Sequence, residues 1–182
     1  MQYPRDTVQS RIATALGDVR LAASAKGLVG LWFDGQRHQP AQLDAAPAWP
    51  TDHAHPVLRA AAQQLQQFLR GERTRFDLPL DLSGGTPFQE AVWQALLAVP
   101  HGATTSYGAL ARQIGRPTAV RAVGAAVGRN PLSVVVPCHR AVGSAGALTG
   151  YAGGLPRKKA LLALESGPQA RAIPFTPLLN FA

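Results

Sequence analysis

The chain has 182 residues, room for one large domain or two small ones, and its balance of 46% apolar to 15% charged residues excludes a disordered chain. No apolar run approaches the roughly 20 residues that span a bilayer, and Met1 to Arg11 contains no apolar signal core, so a soluble cytoplasmic protein is expected. The net charge of +8 is lopsided: residues 1–84 hold nine Lys/Arg against eight Asp/Glu, whereas residues 85–182 hold nine against Glu90 and Glu165 alone. Such asymmetry fits either a polyanion-binding surface on the second half or a basic face kept for solubility.

In chain order, three strand-like runs come first: Ile12–Leu16, Val19–Ala25 and Leu28–Phe33, separated by the turn signals Gly17-Asp18 and Lys26-Gly27. They predict a small antiparallel sheet. A polar, Pro-rich stretch from Gln36 to His55 reads as a loop, and its His38, His53 and His55 read as surface residues. Pro56 to Arg70 places Val57, Leu58, Ala61, Leu65, Phe68 and Leu69 at helical spacing, with Gly71 as the stop. Phe76–Leu82 reads as one more strand, and Ser83-Gly84-Gly85 as a domain boundary.

The second half is helical and well punctuated. Thr86-Pro87-Phe88-Gln89 supplies an N-cap, a first-turn Pro and a capping-box Gln, and Pro100 ends the helix that follows. Ser106 is placed to cap Tyr107–Ile114, with Gly115 after it, and Thr118 to cap Ala119–Val127. Two short helices joined by Gly115-Arg116-Pro117 resemble a helix-turn-helix. The second of them, Ala119 to Val127, has Arg121 as its one long polar side chain. It therefore suits close approach to a backbone or narrow groove better than base readout, or else it is a buried Ala-rich core helix. A last helix is expected over Pro156–Leu164. The predicted class is α+β, with a small N-terminal α/β domain of antiparallel hairpins (1–83), a mostly helical C-terminal domain (84–168) and a tail (169–182).

One cysteine, Cys138, rules out an internal disulfide and a multi-cysteine zinc site. A lone cysteine is most often a small buried hydrophobe, so its neighbours decide. In Asn130-Pro131-Leu132-Ser133-Val134-Val135-Val136-Pro137-Cys138-His139-Arg140, Val134–Val136 reads as a buried strand that Pro137 ends. The turn allows Cys138 and His139 to line one pocket. The thiolate is the reactive form, and a nearby His or the positive potential of Arg140 lowers a thiol pKa toward neutrality.

Pro137-Cys138-His139-Arg140, then Gly150-Tyr151-Ala152-Gly153-Gly154-Leu155 and Lys159-Ala160-Leu161-Leu162-Ala163-Leu164-Glu165, closely resemble the O6-alkylguanine-DNA alkyltransferases. Phe88-Gln89-Glu90-Ala91-Val92-Trp93, Ser106-Tyr107 and Arg121-Ala122-Val123-Gly124 match as well, densely over about 84–167 and more loosely over the N-terminal hairpins. The resemblance implies irreversible, single-turnover transfer of the alkyl group of O6-alkylguanine, and of O4-alkylthymine, in double-stranded DNA onto Cys138. It implies no cofactor, no metal, no membrane and a monomer. It makes His139 the base acting through a water, Glu165 the carboxylate orienting it and Asn130 the holder of the turn. Tyr107 matches the contact to the flipped nucleotide, Arg121 the finger entering the base stack, and Tyr151 and Ala152 the pocket wall; Arg140 joins the DNA-binding set. Extrusion of the base is physically required, because O6 is out of a thiolate's reach inside a duplex. Ala141 departs from the Val or Ile usual there, which leaves the preferred alkyl size open, and Ala152 and Pro156 sit at variable positions.

Three other functions compete. A non-catalytic damage sensor of this fold replaces the acceptor cysteine, which is present here. A helix-turn-helix transcription factor is disfavoured by the Ala/Gly-rich second helix, and a thiol hydrolase by the lack of a recognisable oxyanion site.

Overall fold

The computed structural model describes residues 1–144 and 146–167; the tail expected from Gln169 lies outside the described residues. Three antiparallel strands in the order β1-β2-β3 open the fold: β1 Val8–Ile12, β2 Val19–Ser24 and β3 Gly27–Phe33. The first lies earlier than the run Ile12–Leu16 suggested. Val8 pairs with Ala23 and Ile12 with Val19, so the residues after Ile12 are spent on the turn, where Gly17 takes a left-handed φ of 97°. The Phe76–Leu82 strand does not form. Leu80 makes a single bridge to Leu28, with Leu28 N–H donating to Pro79 O and Asp81 N–H to Leu28 O. Pro79 cannot donate to a ladder, which limits the pairing to that one bridge.

Helix α1, Pro56–Leu69, lays Leu58, Ala61, Leu65 and Phe68 on the face of the sheet that presents Leu21, Leu31 and Phe33. The opposite face carries Ala22, Val29 and Trp32, covered by Leu43 and Trp49 from the long loop and edged by Tyr3. Gln9 Nε2 fastens that loop by donating to Trp49 O at 2.8 Å.

The second half contains α2 Pro87–Leu97, α3 Tyr107–Gln113, α4 Val120–Gly128 and α5 Leu155–Glu165. The capping box of α2 is complete: Thr86 Oγ1 accepts from Gln89 N–H, and Gln89 Oε1 accepts from Thr86 N–H at 2.9 Å. Ser106 caps α3, accepting from Ala109 N–H at 3.1 Å. Thr118 caps nothing; α4 starts one residue later with Ala119 at its cap position and no side-chain bond. Trp93 is fully buried and its Nε1–H donates to Ala126 O at 2.9 Å, which locks α4 onto α2. A short parallel pair, β4 Thr105–Ser106 with β5 Ala141–Val142, joins the start of α3 to the chain leaving Cys138. One contiguous apolar core runs from Leu21 and Phe68 through Trp93 and Leu110 to Cys138 and Leu161. No helix among the described residues is long and apolar enough to cross a membrane.

Candidate active site

The stretch before the cysteine is a turn, not the strand its valines suggested. Strand β3 sets its position from below: Leu31 N–H donates to Pro131 O, and Ser133 N–H returns a bond to Leu31 O at 2.9 Å. Beyond that bridge the chain coils, with Val134 at a φ of 72°, a conformation a β-branched residue adopts only when its surroundings force it. Asn130 supplies that force. Its Oδ1 accepts from Leu132 N–H at 2.9 Å, and its Nδ2 donates to Val136 O at 2.8 Å and to Cys138 Sγ at 3.0 Å. Five apolar residues at 132 and 134–137 masked this turn, because the partner that makes it is a side chain several positions away.

Cys138, His139 and Arg140 form one 3-10 turn, and all three are buried. His139 Nε2 lies 2.7 Å from Glu165 Oε1. Arg140 grips the same carboxylate, with Nε to Oε2 and Nη2 to Oε1 each at 2.9 Å, while its Nη1 donates to Val99 O at 2.6 Å. Gly102 N–H adds a fourth donor to Glu165, at 3.2 Å. Burial alone would raise the Glu165 pKa, but hydrogen bonds from His139 and Arg140 and their charges outweigh it and hold the group at about 2. The carboxylate is thus ionised, and it fixes the His139 tautomer: Nε2 carries the proton and Nδ1 keeps its lone pair. Nδ1 is buried with no protein hydrogen-bond partner among the described residues. Burial lowers the His139 pKa against the pull of Glu165, so the ring rests neutral and able to accept a proton.

The thiol differs from expectation. Burial pushes Cys138 up to about 11, and the Asn130 hydrogen bond and the Lys158 charge offset only part of that. Cys138 therefore rests as a thiol at neutral pH, and its proton must leave as the reaction proceeds. Arg140, expected among the DNA contacts, is turned inward and spends its guanidinium on Glu165 and Val99. A bidentate carboxylate is its best partner in a dry interior.

Tyr151 is buried beside Cys138, and burial followed by the thiolate's charge holds its pKa well above the ordinary value. Ala152 is half-buried next to it. Tyr107 begins α3, half-buried, its hydroxyl accepting from Thr149 Oγ1 at 3.3 Å. Arg121 is exposed on α4 and makes no side-chain hydrogen bond or ion pair among the described residues. Arg112, Arg116 and Arg129 are exposed on the same pair of helices and their ends. His38, His53 and His55 join no group able to hold a metal ion among the described residues.

One contributor escaped the sequence reading. Lys158 is fully buried and makes no ion pair among the described residues, its Nζ donating to Ala141 O at 2.6 Å and Thr149 O at 2.7 Å. The signal was the spacing of Lys158, Leu161 and Glu165, which puts the lysine on the inward stripe of α5.

Two family models cover most of the chain: the ribonuclease-like domain of 6-O-methylguanine DNA methyltransferase over residues 8–82, and the DNA-binding domain of the same enzymes over residues 87–167. The chain belongs to the 6-O-methylguanine DNA methyltransferase family. It is 46% identical over 154 residues to the methylated-DNA–protein-cysteine methyltransferase of Mycobacterium tuberculosis, covering 85% of this chain and 89% of that protein. A Salmonella typhimurium protein of the same name is 54% identical over 104 residues, 57% of this chain and 61% of its own length. Among solved structures, the M. tuberculosis protein in complex with DNA superposes with a TM-score of 0.78 at 43% identity, over 87% of this chain and 92% of that one. The enzyme of Pyrococcus kodakaraensis gives 0.62 at 26% identity, over 88% and 99%. The family likeness covers both halves of the fold.

Proposed function

We infer that this protein reverses DNA alkylation directly, moving the alkyl group of O6-alkylguanine onto Cys138 once per molecule. The observation that carries the reading is a buried thiol followed by a histidine whose free Nδ1 is oriented by an ionised, doubly gripped Glu165. This is a nucleophile, a base and an orienting carboxylate, held ready in a water-poor interior.

The chemistry balances without a cofactor. Cys138 sulfur attacks the alkyl carbon, forming the S–C bond as the C–O6 bond breaks, while the thiol proton passes to His139 Nδ1, directly or through one water. The electron pair leaves on guanine O6, where a proton donor such as the Tyr107 hydroxyl stabilises it. The imidazolium that results is held by Glu165 at 2.7 Å. The alkylated product is a neutral thioether from which a thiolate is a poor leaving group, so the alkyl group stays and each molecule reacts once. Alkylated thymine at O4 presents the same electrophilic carbon on an oxygen leaving group and belongs to the same substrate class.

Double-stranded DNA is the partner this reading requires. The exposed arginines of α3 and α4 supply phosphate contacts, the two helices act as the helix-turn-helix, and Arg121 fills the space left by the extruded base. Residues 84–168 carry recognition and transfer, residues 1–83 support them, and the protein works as a monomer in the cytoplasm. The test is intact mass spectrometry after incubation with duplex DNA containing O6-methylguanine. The expected result is a gain of roughly 14 Da, one CH2, confined to Cys138 and stoichiometric with the protein. Multiple turnover, or label on any other residue, overturns the assignment.

A further inference from the structure

The loop Tyr151–Gly154 is the proposed wall of the base pocket, yet much of what holds its backbone comes from outside the second half. Arg37 N–H donates to Ala152 O at 3.1 Å, and Arg37 Nη2 reaches Tyr151 O at 3.4 Å. Arg157, on the first turn of α5, donates from Nη1 to Gly153 O at 3.0 Å and from Nε to Leu16 O at 2.8 Å. The same guanidinium lies over the Phe33 ring, 4.8 Å from its centroid. One side chain thus joins the pocket loop to the β1–β2 turn and to the end of β3.

The surrounding residues are shaped to this contact. A Cβ at Gly17 would come within 3.0 Å of Arg157 Nη2, and a Cβ at Gly153 would stand 2.8 Å from Tyr151 Cε1 and 3.1 Å from Phe33 Cδ2. An unbroken packed row therefore runs from Gly17 through Arg157, Phe33 and Gly153 to Tyr151, whose hydroxyl is buried beside Cys138. Arg157 makes no ion pair among the described residues, although the charge of Asp34 reaches it; half-buried, it gives its donors to two carbonyls and its face to a ring. A planar fork serves two carbonyls from its edge while its face stacks on a ring, a combination a compact ammonium matches only in part.

We propose that Arg157 is a positioning residue through which the N-terminal sheet sets the aperture of the base pocket, so that the first half helps determine which alkylated base fits. The inference rests on the alkyl-transfer reading. It places the specificity of the site partly in the β1–β2 turn, more than a hundred residues from Cys138 in sequence. Loosening the clamp lets the wall move and weakens binding of the base, while leaving the thiol, His139 and Glu165 as they were.

The experiment compares the unaltered protein with Arg157→Ala and Arg157→Lys, each checked for a cooperative thermal transition. Two electrophiles are used: free O6-benzylguanine, which must occupy the pocket, and iodoacetamide, which needs only the thiol. In Arg157→Ala the half-saturating O6-benzylguanine concentration should rise about tenfold, the worth of one hydrogen bond to a charged group. The limiting rate, the iodoacetamide rate and its pH profile should not change, and Arg157→Lys should recover part of the loss. Should Arg157→Ala fail to fold, Arg157→Lys alone must show the weaker half-saturation at unchanged iodoacetamide rate. An unaltered half-saturation in a folded variant overturns the clamp, as does an equal loss with both electrophiles. Failure of the unaltered protein to take the methyl group of O6-methylguanine in duplex DNA onto Cys138 overturns instead the alkyl-transfer reading beneath it.

Discussion

The turn that holds Cys138 and the helix pair α3–α4 lie next to each other in the fold but treat charge in opposite ways. In the turn, Glu165 takes four donors, from His139, Arg140 and Gly102, and Lys158 is spread over the carbonyls of Ala141 and Thr149. On the helix pair, Arg112, Arg116 and Arg121 stand exposed and unpaired among the described residues, with Arg129 just beyond. The first arrangement costs desolvation and repays it with fixed geometry; the second leaves positive charge free for an outside partner. The two tasks are therefore separable. Changes in the turn should alter the chemical step, and changes on the helices should alter encounter with DNA.

The strongest test of that division is Glu165→Gln. An amide cannot stabilise the His139 imidazolium, so the single-turnover rate should fall by about 10²- to 10⁴-fold, the usual worth of a positioned base. Affinity for duplex DNA should change little, because Glu165 is sealed inside. The ionised Glu165 also contributes stability that is complete above the ordinary carboxylate range and lost as pH falls toward about 2. That acid limb should be missing from the variant. A folded Glu165→Gln with an unaltered rate-against-pH profile would reduce the residue to a structural brace.

The thiol gives the next effect. Its folded pKa of about 11 lies above the ordinary cysteine value. The folded state thus favours the neutral thiol, and this advantage is complete below about pH 8.5 and lost as pH climbs through 11. Between those limits the unaltered protein should lose up to about 3 kcal/mol relative to Cys138→Ala, as read from urea midpoints of the two proteins side by side. Other alkaline titrations are shared by both and cancel in the difference. Parallel curves would mean that the thiol ionises freely where it stands, and the assignment of proton removal to His139 would lose its reason.

How much of this was legible in the sequence depended on where each residue finds its partner. The α2 capping box and the apolar stripe of α1 were readable because their partners sit three or four positions away. The Cys138 turn was not, since three consecutive valines look like a strand until Asn130 is seen taking Leu132 N–H and Val136 O. Arg140 pointed the wrong way on paper for the same reason: its carboxylate lies 25 residues on, at the end of another helix. The triad itself was legible only through resemblance, because spacing alone could not bring His139 and Glu165 together. The raised thiol pKa had no signature at all in sequence, since burial is a property of the finished fold.

Arg121→Ala addresses the helix side. On duplex DNA the loss of a side chain that fills the vacated stack should slow repair by about tenfold, within the few kcal/mol that unstacking one base costs. Reaction with free O6-benzylguanine, which needs no extrusion, should be unaffected. Equal losses on both substrates would assign Arg121 to the fold or the pocket, a role hard to reconcile with its exposed position.

The smallest effects belong to the remaining arginines, and they test whether the helix face is a phosphate surface at all. Arg112, Arg116 and Arg129 are each exposed, and Glu90 and Glu165 are the only acids of the second half, one of them buried. If each arginine neutralises one phosphate, each releases about one counterion, and log K falls with log salt by about 0.9 per contact. Replacing one by Ala should lower that slope by about one unit, a change of only about threefold in affinity between 50 and 200 mM salt. The effect should be the same on any duplex sequence, because a backbone contact reads no base. It should also leave the O6-benzylguanine rate untouched, since none of the three makes a side-chain hydrogen bond or ion pair to the Cys138 turn among the described residues. A slope that stays constant through all three replacements would mean that the excess charge of the second half serves solubility, and that DNA is held elsewhere.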